Sequence, residues 1–263
     1  MHILVTNDDG IFAPGLAALA RTLRKLGKVT VLAPDRNWSA SGHVKTMHRP
    51  LRVWETKLSD GSEGLTTDGA PSDCVALAVL GLIDEKIDLV VSGINPLANL
   101  GHDVTYSGTV TAAMEAVISG LPGLAISLNS KRNRNRELEY GPAAEIGLQI
   151  SKQVMEHTLP DGILLNINVP YGPLNKIRGV RITQQGQRIY RDALVRRDDP
   201  RGRPYYWIGG KSPTGLLDPG SDFSALDEGF VSVTPLQLDL TAYRHHDEIK
   251  KMDLRINPIG VKQ

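Results

Sequence analysis

The chain has 263 residues, 41% of them hydrophobic and 22% charged, which supplies a sizeable core and excludes a disordered composition. Its 30 lysines and arginines stand against 29 acidic residues, so no global field draws it towards nucleic acid or an anionic membrane. Cys74 is the single cysteine, which excludes an intrachain disulfide framework and a multi-cysteine zinc site and gives slight support to a reducing compartment.

No apolar run approaches the roughly 18 residues of a membrane span. The first residues enter a strand pattern with no basic region or apolar signal segment before it, so the expectation is a cytoplasmic protein. Residues 2–6 are short, apolar and β-branched, as in a buried strand. Asn7-Asp8-Asp9-Gly10 breaks the strand, and Pro14 suits the first turn of a helix. Leu16, Leu19, Ala20, Leu23 and Leu26 recur at helical spacing up to Gly27. Residues 29–33 form the next buried strand, completing a right-handed βαβ unit.

The alternation continues with a helix over 73–83, a strand over 87–91, a helix over 110–119 and a strand over 123–128. A helix over 143–157 and a strand over 163–169 follow. The fold class is therefore α/β: a Rossmann-like, three-layer arrangement with a mostly parallel sheet covered on both faces. The charged run 131–139 reads as a solvated loop. After Pro170 the pattern changes. Residues 178–183 and 188–195 read as a hairpin around Gln184-Gln185-Gly186-Gln187, with a polar turn over 197–203 and another strand over 205–208. Residues 211–229 read as a long loop, 230–233 as a last core strand, and the tail is charged. This divides the chain into a core over 1–175 and an extension over 176–263 made of hairpin, loop and tail.

The chemistry gathers at strand ends. The turn after the first strand lacks the glycine fingerprint of a dinucleotide site and the Gly-Lys-Ser/Thr ending of a P-loop. Two adjacent carboxylates repel a phosphate unless a divalent cation bridges them, so Asp8 and Asp9 either hold a hard metal such as Mg²⁺ or Mn²⁺ or merely cap the next helix. Ser39 follows the second strand and Asn95 the third, both beyond the same carboxyl edge, where ligands bind in open α/β sheets. Singly each reads as a turn residue; together the four make an oxygen shell for a cation. Tyr106-Ser107-Gly108-Thr109 precedes the helix at 110. Ser107 or Thr109 serves there as an N-cap, or Ser107, Gly108 and Thr109 receive a phosphate at a helix N-terminus.

Asn7 through Gly10, Pro34 through Ser39, Asp68 through Val75, Ser92-Gly93-Ile94-Asn95 and Tyr106 through Val110 occur in order. This series resembles the SurE family of 5'/3'-nucleotidases from residue 1 to about 128, and Gly229 through Leu236 is similar to its C-terminal strand motif. The resemblance implies a phosphatase acting on nucleoside monophosphates, with a divalent metal, one per subunit, held by Asp8, Asp9, Ser39 and Asn95. It also implies a homodimer or homotetramer built through the C-terminal extension. Two positions depart from the family pattern: Pro96 follows Asn95 directly, and Ala40 stands where the family carries glycine.

The expected chemistry is metal-assisted hydrolysis, with Asp8 or Asp9 as the catalytic proton acceptor. A non-catalytic nucleotide-binding regulatory module is the alternative. His43, His48 and His102 lie near the site in sequence, either as a general acid or as structural residues. The arginines of 178–203 read as solubilising or subunit-contacting, with no nucleic-acid partner, and Cys74 as a small buried residue.

Overall fold

The computed structural model describes residues 1–130 and 137–254, so most of the charged run 131–139 and the last residues of the tail lie outside the described residues. β1 (His2–Thr6) is buried at every position because both of its faces are covered. Ile3 and Val5 pack against Leu16, Leu19 and Leu23 of α1 (Pro14–Leu23) and Ile146 of α4 (Gly141–His157). Leu4 points the other way, to Cys74 and Val75 of α2 (Pro71–Leu77) and Ala112 and Ala116 of α3 (Gly108–Ile118). The sheet is thus the middle of three layers.

The remaining strands of the nine-stranded sheet are β2 (Lys28–Pro34), β3 (Val53–Lys57), β4 (Glu63–Thr67), β5 (Leu89–Asn95), β6 (Gly123–Asn129), β7 (Ile163–Pro170), β8 (Val180–Ile182) and β11 (Val231–Gln237). Their order is β3-β4-β2-β1-β5-β6-β7-β11-β8. β4 through β7 run parallel, β3 is antiparallel to β4, and β11 is antiparallel to β7. The chain moves from β1 to β2 in one direction and returns to place β5 on the other side of β1. The topological switch therefore lies between β1 and β5, with Thr6 paired to Ser92, and the loops beyond these strands open a crevice.

Several local expectations differ from the structure. The hairpin β3–β4 is absent from the sequence reading, because its strands are short, half-exposed and carry Glu55, Lys57 and Glu63 in place of an apolar alternation. α2 is shorter than expected and continues as a π-helical stretch, Ala78–Leu82, in which Gly81 has φ 115. The segment read as the first arm of a hairpin is β8, which pairs with β11 at the sheet edge, tied further by Thr183 N donating to Val233 O at 2.9 Å. The actual hairpin joins β9 (Arg188–Asp198) to β10 (Pro204–Gly215). Its turn closes where the Asp199 carboxylate accepts from Arg201 N and Arg203 N at 2.8 and 2.9 Å, with Gly202 at φ 73. Such local turn chemistry is lacking at Gln184–Gln187. The expected loop over 211–229 contains the end of β10 and the short helix α5 (Asp222–Asp227). In the tail, α6 (His246–Lys250) follows a 3-10 turn.

Close approach between α1 and β5 sets the mouth of the crevice. A Cβ on Gly15 would lie 2.3 Å from the Ile94 carbonyl oxygen and 3.0 Å from Tyr140 Cε1. Gly15→Ala is expected to destabilise the fold by about 1–3 kcal/mol, the usual range for overpacking. Urea unfolding measures this; a variant as stable as the wild type contradicts so tight a packing.

Candidate active site at the switch point

The loop leaving β1 is built by Asn7. Its side-chain amide donates to Gly10 O at 3.0 Å and its Oδ1 accepts from Gly10 N at 3.2 Å, while Gly10 takes φ 100. Ile11 N donates to Pro34 O at 2.8 Å, locking this loop to the end of β2. The turn directs Asp8, 3% exposed, at the start of α3. Asp8 Oδ1 accepts from Thr109 Oγ1 at 2.6 Å. A Cβ on Gly108 would lie 2.6 Å from Asp8 Cβ, so only glycine permits this approach. Ser107 is the N-cap of α3, its hydroxyl accepting from Val110 N at 3.2 Å.

Ser39 reaches the same edge through the loop after β2. Trp38 N donates to Asp8 O at 2.7 Å, and Ser39 N donates to Asn37 Oδ1 at 2.7 Å. The Asn37 amide in turn donates to Asp9 Oδ1 at 3.3 Å, linking the segment of Ser39 to the acid pair. Ala40 sits at φ 59, the left-handed region that favours glycine. Asn95 is the last residue of β5; Pro96 biases it towards the extended backbone it adopts, and its amide donates to Leu97 O.

The connection from Asn95 to Ser107 is held by buried polar groups from distant elements. Asn99 N donates to Asn168 Oδ1 at 2.8 Å, Asn99 Nδ2 to Ser127 Oγ at 2.9 Å, and the Asn166 and Asn168 amides donate to Asn99 O. Gly101 N donates to Asp222 Oδ2 at 2.8 Å, whose other oxygen accepts from Gly186 N and Phe223 N at 2.9 Å. Asp103 accepts from Tyr190 OH at 2.7 Å and pairs with Arg188 at 2.9 Å.

Burial raises the pKa of Asp8, opposed by the Thr109 hydroxyl and by the backbone N–H groups of Thr109 and Gly108. Asp9 is pushed up to about 7, first by burial and then by the charge of Asp8. Among the described residues neither carboxylate has a basic side chain paired with it. An adjacent, uncompensated and partly desolvated acid pair is the environment that a hard divalent cation relieves. No third His, Cys, Asp or Glu joins them into a metal cluster among the described residues. Ser39 is linked to the pair through Asn37 and Trp38, and Asn95 ends β5, the strand that pairs with β1.

Against sequence models of protein families, residues 3–192 match the one described as survival protein SurE. The chain belongs to the SurE family. A relative in Chloroflexus aggregans, named 5'-nucleotidase SurE, is 51% identical over 96% of this chain and 99% of its own length. Another of that name in Herpetosiphon aurantiacus is 52% identical over 92% of this chain and 94% of its own length. The crystal structure of the SurE protein from Aquifex aeolicus superposes with a TM-score of 0.80 at 39% identity, covering 96% of this chain and all of that one.

For this SurE family member, sequence motifs drew attention to Asp8, Asp9, Ser39, Asn95 and residues 107–109, but not to the side chains that position them. Asn37 and Asn7 lie inside the motifs, yet their roles depend on loops folded together. Tyr140 lies far away in sequence; burial and the nearby charge of Asp9 push its phenol up to about 12. The motif over 68–75 is structural: the Asp73 carboxylate accepts from Ala70 N and Thr46 N, both at 2.8 Å, capping α2. His43, His48 and His102 are all exposed, and His43 pairs with Glu115. Cys74 is fully buried and its thiol pKa is raised by that burial, so it is no nucleophile.

The raised Asp9 pKa predicts an unusual pH response. A carboxyl with a folded pKa above its ordinary 3.8 binds its proton more tightly in the folded chain, so stability falls as pH rises from 3.8 through about 7. In chelator, the wild type should lose more thermal stability across this window than Asp9→Asn. Added Mn²⁺ should reverse the wild-type loss. Parallel melting curves for the two proteins across the window would contradict the electrostatic picture.

Proposed function

We propose that Asp8, Asp9, Ser39 and Asn95 hold one divalent cation, Mg²⁺ or Mn²⁺, and that the chain hydrolyses nucleoside monophosphates at this centre. The uncompensated acid pair against the N-terminus of α3 is the observation that carries the assignment. The chain is a 5'-nucleotidase, a function supported by relatives of that name at about half identity over nearly its whole length. The products are nucleoside and phosphate, and 3'-monophosphates are included in the proposed range.

When bound, the cation neutralises phosphoryl charge and acidifies water. Asp8 is fixed by Thr109, so Asp9, held by the longer bond from Asn37, takes the proton of the attacking water. The Ser107-Gly108-Thr109 turn receives the phosphate, where the positive end of α3 favours an anion. An aspartyl-phosphate is disfavoured because both carboxylates are committed to the cation.

The extension over 176–263 is assigned to joining subunits into a homodimer or homotetramer. Leu194, Trp207 and Ile208 on the β9–β10 hairpin are 70%, 64% and 85% exposed, which supports burial by another copy. No helix among the described residues is long and apolar enough to cross a membrane, and the cytoplasm is the assigned compartment.

Asp9→Ala, with its fold verified by circular dichroism, is expected to lose at least about a hundredfold in kcat/KM for adenosine 5'-monophosphate, or about 2.7 kcal/mol of barrier. Chelator should abolish phosphate release by the wild type. Unchanged turnover in the variant would defeat the assignment. Nucleotide binding with no released phosphate under any divalent cation would favour the regulatory module.

A further inference from the structure

We propose that Glu115 is a positioning residue for the metal centre, acting through the segment that carries Ser39. The inference rests on Ser39 being a metal ligand, as assigned above. Glu115 lies on α3, six residues beyond Thr109, and is only 3% exposed. A carboxylate so buried demands partners, and both of its oxygens have one from a single loop. Oε2 meets His43 Nε2 at 3.0 Å, and Oε1 accepts from Lys45 Nζ at 2.9 Å.

That loop lies along α3 as a strap. Gly42 N donates to Tyr106 O at 3.0 Å, and Thr111 Oγ1 donates to Gly42 O at 3.2 Å. The strap ends where Thr46 N donates to Asp73 at 2.8 Å and the Ser72 hydroxyl donates to Val44 O. At its other end Trp38 N is bound to Asp8 O. Between these anchors lie Ser39 and Ala40, the first exposed and the second at φ 59. Ser39 N is bound to Asn37 Oδ1, and Ser41 N donates to Trp38 O at 3.2 Å, so the 38–41 turn couples Ser39 to the part of the strap registered on the helix.

α3 therefore sets two distances at once. Its first turn holds Asp8 through Thr109, and its middle holds the Ser39 strap through Thr111 and Glu115. Loss of the Glu115 contacts frees residues 41–45 to shift along the helix, and Ser39 moves relative to Asp8. This gives His43 a role other than general acid: its Nε2 is engaged by Glu115.

Calorimetric titration with Mn²⁺ tests this without catalysis. Glu115→Gln and His43→Ala are each expected to weaken Mn²⁺ binding about tenfold, the lower end of losses on removing an outer partner of a metal ligand. His43→Gln, which keeps a donor for Glu115, should bind within about twofold of wild type. In a Ser39→Ala background Glu115→Gln should cause no further loss, because its effect passes through Ser39. A general loss of structure would instead add to the loss from Ser39→Ala.

Amide hydrogen exchange in chelator gives a second reading independent of metal. Glu115→Gln, or His43→Ala should the first variant fail to fold, is expected to speed exchange at Gly42 at least about tenfold while leaving the β1 amides protected. Unchanged exchange at Gly42 would overturn the proposal, as would Mn²⁺ losses that add fully to those of Ser39→Ala. Failure of the wild type to take up Mn²⁺ would count against the metal centre itself, and the exchange result would then decide the strap alone.

Discussion

The contact between Asp8 and the first turn of α3 governs the architecture around it. A nearly buried carboxylate beside a second acid is unfavourable unless something answers its charge. Inside the protein the answer is partial: a hydroxyl from Thr109, the amides of a helix N-terminus, and no basic side chain paired among the described residues. Gly108 permits the approach, and Asn7 and Gly10 shape the loop that makes it. The remaining imbalance lies where the sheet opens between β1 and β5, and it is what the proposed cation would relieve. Helix capping and the fixing of the acid pair share one turn: Ser107 caps α3, and Thr109 in the same turn binds Asp8.

The rest of the crevice is stabilised from a distance. The long connection from Asn95 to Ser107 is pinned by Leu100 against Phe223 and Leu226 and by Val104, and its backbone groups would be unsatisfied if left bare. Ser127 from β6 and Asn166 and Asn168 from β7 supply partners to Asn99. Asp222, from the C-terminal part of the chain, binds amides of Gly101 and Gly186 together. Arg188 and Tyr190 at the foot of the hairpin grip Asp103. The base of the C-terminal extension thus fixes the segment that leads into the first turn of α3.

Elements with buried, local signals were legible in the sequence. β1 and β7 are apolar runs punctuated by turn residues, and α1 and α4 show one apolar face, so their ends fell within a few residues of the structure. Elements defined by remote partners were not. β3 and β4 are half-exposed and mixed in composition, and become strands by pairing with each other and with β2. β8 is a short strand whose partner, β11, lies some fifty residues on, and proximity in sequence misdirected its pairing to β9. The site followed the same division. Motifs single out Asp8, Asp9, Ser39, Asn95 and residues 107–109, with Asn37 inside one of them; Glu115, Tyr140 and Asp222 carry no local mark of their contacts.

By itself the sequence determined the layered α/β class, the carboxyl edge at which the chemistry gathers and the family to which the chain is similar, because hydrophobic period, turn residues and short motifs act over a few residues. Only the tertiary structure decided the strand order with its switch between β1 and β5, the pairing of the C-terminal strands and the fixing of Asp8 by Thr109. These depend on contacts between residues far apart in the chain, whose free energy appears only when burial removes water from both partners at once.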